Sequence, residues 1–101
     1  MNTPKNGFYY HYKHDSLGLI NNSAYEVLGI GLHTDEKNYY VVYRPLYENI
    51  YLAPANVCIR PVEVFNESIT NNGKTVPRFT PIIDLALISK LEKIRNEIYP
   101  N

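Results

Sequence analysis

The sequence contains no tryptophan, one cysteine, and no excess of charge of either sign. Each absence excludes something. A lone Cys58 rules out an intramolecular disulfide and any multi-cysteine metal site. Ten basic and ten acidic residues give formal neutrality, with seven of each sign in residues 1–80 and three of each in 81–101. A protein built on phosphate-backbone contacts carries a basic stripe, so generic DNA or RNA binding is not expected. No apolar run approaches a membrane span, and the opening MNTPKNGFYYHYKHD is too polar for a signal peptide. A cytoplasmic protein is expected.

What is abundant is tyrosine. Ten of the 101 residues are Tyr, a ring that buries area while its hydroxyl seeks a partner, which suits the margin of a small core. The length is that of one domain.

Residues Tyr25–Tyr47 read as two long strands around a polar turn at Thr34–Asn38. Phe8–Lys13 precedes them as a first strand, with Phe8, Tyr10 and Tyr12 on one face and Tyr9, His11 and Lys13 on the other. In the second strand, Leu28, Ile30 and Leu32 share an expected core face, leaving Gly29 and Gly31 with Val27 on the other. If His33 faces Tyr39, Tyr43 covers Gly29; a one-residue slip puts it against Leu28. Asn49–Asn56, with Pro54, reads as a loop. Val57–Ile59 reads as a short strand stopped by Arg60-Pro61.

Asn72-Gly73 is the favoured pair for a type I′ hairpin. Closing it pairs Thr70 with Thr75, Ile69 with Val76 and Glu67 with Arg78, three favourable cross-strand couples in one register. After Phe79 the period changes. Thr80-Pro81 suits a helix N-terminus, and Leu87, Leu91, Ile94 and Ile98 mark one apolar face. That helix, residues 81–99, is expected to lie on the β-domain or to join copies of the chain through those four residues.

The order Gly7-x-Tyr9-x-His11-Tyr12-Lys13, Tyr25-Glu26-Val27-Leu28-Gly29, His33-Thr34, Val42-Tyr43-Arg44-x-Leu46-Tyr47, Arg60-Pro61, Phe65, Gly73 and Pro77-Arg78-Phe79 resembles the bacterial domain-of-unknown-function 1653 family over residues 7–79. The resemblance implies a mainly β fold, a small SH3-like antiparallel barrel over 7–80 with one C-terminal α-helix. It implies no activity. The chain departs from the family pattern by placing Cys58 where a Trp stands two residues before Arg-Pro, and by longer stretches between Lys13 and Tyr25 and between Tyr47 and Arg60.

No phosphate loop, nucleophile elbow or metal-ligand spacing is present, so no catalytic residue, cofactor or metal is expected. His11 and His14 do not share a face, and Cys58 between Val57 and Ile59 reads as a small packing residue. One constellation is aromatic and cationic: Tyr12, Tyr43, Tyr47, Arg44 and Arg60. Tyr supplies flat surfaces and Arg a bidentate clamp for anions. The expected function is a non-catalytic module docking a peptide, protein segment or small ligand there. The alternatives are a nucleotide-type ligand site, or an enzyme acting on one, with His33 as its titratable group, and an assembly protein joined through the helix. Arg44 has a competing structural role, neutralising Glu26 across the sheet. Arg60 has another, anchoring a turn.

Overall fold

The computed structural model describes residues 2–48 and 55–100. In chain order the elements are β1 (Gly7–His11), β2 (Ala24–His33), β3 (Asn38–Pro45), β4 (Cys58–Pro61), α1 (Val62–Phe65), β5 (Ser68–Asn71), β6 (Lys74–Pro77), β7 (Phe79–Pro81) and α2 (Leu85–Ile98). The protein is mainly β, with antiparallel pairing throughout and one long C-terminal helix. Most of the loop expected over Asn49–Asn56 lies outside the described residues.

Five strands form one sheet in the order β4-β3-β2-β1-β7, and β5-β6 forms a separate ribbon. The sheet stays open: its edges are β4 and β7, which do not pair, so hydrogen bonding does not close the barrel that the resemblance implies. Both faces of the sheet are covered instead. On one, Phe8, Ala24 and Leu46 pack with Leu91 of α2, flanked by Tyr10, Ile82, Leu87, Ile88 and Ile94. On the other, Tyr9, Val27, Val41, Tyr43, Val62, Phe65 and Phe79 form the second core, with Phe65 stacked on Phe79 at 4.1 Å.

Leu28, Ile30 and Leu32 are not the core face. The β2–β3 register shifts between Val27 and Gly29, leaving Leu28 as the extra residue of a β-bulge. Val27 therefore faces Tyr43 and is 1% exposed, whereas Leu32 is 52% exposed. Tyr43 covers neither Gly29 nor Leu28. Beyond the bulge, His33 pairs with Asn38 rather than Tyr39.

The short strand near residue 58 runs through Arg60-Pro61 instead of stopping before them. Pro61 is tolerated because β4 is an edge strand. The same reason explains Thr80-Pro81. They form edge strand β7 against Tyr10 and Tyr9, and the helix begins later, where Asp84 caps it by accepting from the amides of Ala86 (2.9 Å) and Leu87 (3.2 Å). The 72–73 hairpin has the expected register, with Asn72 and Gly73 both at positive φ (52° and 77°). Arg78 reaches Glu67 through its backbone (2.9 Å) and its side chain (3.5 Å).

The helix is fastened by charge as well as by apolar packing. Burial of Leu91 contributes roughly 1.5–3 kcal/mol before ordering costs. Glu26, itself buried, accepts from Arg44 on β3 (Nε at 3.0 Å) and from Arg95 on α2 (Nη1 at 2.9 Å). Tyr99 stacks 4.0 Å from the Arg44 guanidinium and donates its hydroxyl to the Pro45 carbonyl (2.7 Å). No helix among the described residues is long and apolar enough to cross a membrane.

Candidate functional site

The second core opens at one end into a patch of rings and cations. Strand β1 ends at His11, and Tyr12 turns away with its amide held by the Arg78 carbonyl (2.9 Å). Antiparallel pairing then sets the remaining members. Tyr9 faces Tyr25, Tyr43 faces Cys58, and Val41 faces Arg60, so all project to the side away from α2.

The contacts are continuous across these strands. The His11 ring lies 4.4 Å from Tyr12 and 5.1 Å from Phe79, edge to face with the latter. Tyr25 packs edge-on against Tyr43 at 5.5 Å and Tyr47 at 5.6 Å, and its hydroxyl meets that of Tyr47. Arg60 donates from Nε to the Tyr43 hydroxyl (3.1 Å), with its guanidinium 5.7 Å from the Phe79 ring. Lys13 sits 5.9 Å from the Tyr12 ring.

The electrostatics of the patch are one-sided. The Lys13 amide donates to His11 Nδ1 at 3.3 Å, which leaves the neutral ring's hydrogen on Nε2, with no acceptor for it among the described residues. His11 is held down to about 4, by burial first and then by the positive charges of Arg60, Lys13 and Arg78. The imidazole is therefore neutral at pH 7. Burial, followed by the hydrogen bond to Tyr47, pushes the Tyr25 phenol well up. Burial also raises the Cys58 thiol, against a smaller opposing pull from Arg60. A protonated thiol is a poor nucleophile and metal ligand. Among the described residues, no three His, Cys, Asp or Glu side chains converge as a metal site.

Of the six residues singled out from sequence, Tyr12, Tyr47 and Arg60 are half-buried parts of this patch. Tyr43 lies beneath it at 5% exposure, offering its hydroxyl to Arg60 rather than its ring to a ligand. Arg44 is not in the patch. It pairs with Glu26 on the opposite face, under α2, which is its structural role. His33 is distant in the fold, at the outer end of β2, where its Nδ1 accepts from the Glu36 amide (3.1 Å).

That outer end has an apolar hollow of about 170 Å³, lined by Gly31, Leu32, His33, Tyr40, Val42 and Ile59. A Cβ on Gly31 would come within 3.3 Å of Val42 Cγ2, so the missing side chain opens part of it. It is smaller than the roughly 300–1,000 Å³ of small-molecule pockets.

Sequence reasoning missed His11, Lys13, Tyr25, Cys58 and Arg78 as neighbours. His11-Tyr12-Lys13 and Pro77-Arg78-Phe79 were visible as motifs, but strand alternation assigned His11 and Tyr12 to opposite faces. The strand in fact ends at His11, and the turn brings Tyr12 alongside its ring.

No curated protein matches the chain. Its structure is similar to the crystal structure of a DUF1653 protein from Bordetella bronchiseptica, with a TM-score of 0.61 and 27% identity over 77% of this chain and 86% of that one. The profile of the protein family of unknown function DUF1653 matches residues 7–81, which takes in β1 through β7 and every residue of the aromatic and cationic patch. The chain belongs to the DUF1653 family.

Proposed function

We propose that this chain is a non-catalytic binding module, which docks a peptide, protein segment or small ligand on the face formed by His11, Tyr12, Lys13, Tyr47 and Arg60. One observation carries the reading. The Lys13 amide bonds the His11 ring at 3.3 Å, the Arg78 carbonyl holds the neighbouring Tyr12 amide at 2.9 Å, and Arg60 lies 5.7 Å from Phe79, which packs on His11 at 5.1 Å. Of these three cations only Arg78 has a carboxylate partner among the described residues. A surface that gathers positive charge without matching carboxylates is electrostatically complementary to an anionic partner.

The open sheet with its β5-β6 ribbon would present this patch as an SH3-like docking surface, framed by the turn after β1. Catalysis is not favoured, because the thiol and the phenol beside the patch both have raised pKa values. Assembly through α2 is not favoured either. Leu91 is fully buried, and Leu87 and Ile94 already pack on the sheet. We also propose a cytoplasmic setting, which an unpaired Cys58 suits.

The test is a screen of small aromatic compounds, charged and neutral, followed by NMR of the full chain. Saturable shifts at His11, Tyr12 and Tyr47 are expected. Shifts confined to the hollow around Gly31 and His33, or no saturable shift at all, would overturn the reading.

A further inference from the structure

We infer that the anionic group recognised at this patch is a phosphate monoester borne beside a planar ring, with Arg60, Lys13, Arg78 and the Nε2–H of His11 as its donors. The inference rests on the docking reading above and gives it a ligand class.

The first argument is charge. Lys13 bonds the His11 ring through its amide, Arg78 holds the adjacent Tyr12 amide, and Arg60 lies over Phe79 beside His11, so three positive charges gather here. Glu67 on Arg78 returns one negative charge, at 3.5 Å and from an exposed position. The remaining balance of about two matches a phosphate monoester, which carries roughly −1.5 to −2 at pH 7. A carboxylate would leave half of it unanswered.

The second argument is donor geometry. Nδ1 of His11 is already used by the Lys13 amide, so the ring presents a donor while uncharged. Arg60 spends Nε on Tyr43, and its terminal nitrogens, which have no hydrogen-bond partner among the described residues, are left for a bidentate contact. Arg78 Nε is buried with no hydrogen-bond partner among the described residues, an unsatisfied donor in the same neighbourhood. The third argument is the flat surface alongside. Tyr12, adjacent to His11 at 4.4 Å and to Lys13 at 5.9 Å, offers a ring on which a ligand ring can stack while its phosphate reaches the cations.

Phenyl phosphate, inorganic phosphate and phenol, titrated against the full chain and read by the His11 and tyrosine ring resonances, test this directly. Phenyl phosphate should bind at least about tenfold more tightly than either fragment. It should also move the His11 titration upward, because a bound anion offsets the cations. Arg60→Gln should weaken phenyl phosphate about tenfold and leave phenol unchanged. Lys13→Gln, at an exposed position, should weaken it by about threefold. If phenol and phenyl phosphate bind equally well, the phosphate assignment is wrong while the docking surface stands. If neither shifts these resonances, both fail. Once phenyl phosphate binds, comparing adenosine monophosphate with a phosphotyrosine peptide names the source by whichever binds more tightly.

Discussion

Arg95 on α2 donates from Nη1 to Oε2 of Glu26 on β2 at 2.9 Å, while Arg44 takes the other carboxylate oxygen. One buried acid thus holds a strand and the helix to a third element, and the two guanidinium groups depend on it for countercharge.

Glu26→Gln should therefore cost more than its small change in shape suggests. It leaves two partly buried arginines facing a neutral amide, and we expect a loss of about 2–3 kcal/mol in urea unfolding. Arg95→Ala, which leaves the Glu26–Arg44 pair intact, should cost less. A Glu26→Gln midpoint within experimental error of the parent would show that the network contributes nothing net.

Leu91 and Leu85 provide a second comparison on the same helix. Leu91 has no exposure and Leu85 is 81% exposed. Leu91→Ala should destabilise by about 2–5 kcal/mol, and Leu85→Ala by less than about 0.5 kcal/mol. Thermal unfolding of the two variants measures the difference. Equal effects would mean that α2 does not pack on Phe8 and Leu46 in solution.

These elements were unequally legible in the sequence. The 72–73 hairpin was readable because its register is set locally, by Asn-Gly turn chemistry and three cross-strand pairs. The spacing of Leu87, Leu91 and Ile94 found the apolar face of α2, because helical period needs no tertiary information. The bulge at Leu28 was not readable: nothing local marks it, and it exists so that Val27 and Tyr43 can share a core. Thr80-Pro81 misled because a proline after a Thr suits a helix start and an edge strand equally well. The candidate site was half legible. Arg44 and Arg60 are both plausible anion clamps by type, but only the β2-β3-β4 pairing places them on opposite faces.

The His11 environment makes a pH dependence. Its pKa in the fold, about 4, lies below the ordinary 6.5 because of burial and of Arg60, Lys13 and Arg78. Between these values the unfolded chain binds a proton that the folded chain refuses, so stability rises with pH there. The contribution is complete above pH 6.5 and is lost as pH falls toward 4. After allowance for solvent screening it amounts to about 1–2 kcal/mol. His11→Asn should flatten that part of the stability profile. An unchanged slope would mean that His11 is exposed to solvent.

Cys58 should react slowly. With its thiol raised by burial, labelling by an alkylating reagent at pH 7.5 should run several-fold below that of a free cysteine. Unfolding in urea should restore the ordinary rate. Fast labelling of the native protein would place the thiolate, and with it a reactive group, at the edge of the ring cluster.

The bulge at Leu28 divides the long hairpin into two parts with different obligations. Up to Val27 each side chain answers to a core on one face or the other; past Gly29 the alternation is reset, and Ile30, Leu32 and Tyr39 stand at 37%, 52% and 45% exposure. The tip of the arm, beyond the Gly31–Tyr40 pair, lies past the last pairing of β3 with β4 and so stands clear of the packing that places His11 and Arg60. Residues added at the Thr34–Lys37 turn would lengthen a lever whose fulcrum is fixed, and an affinity label or a reporter inserted there would leave the aromatic patch as it is.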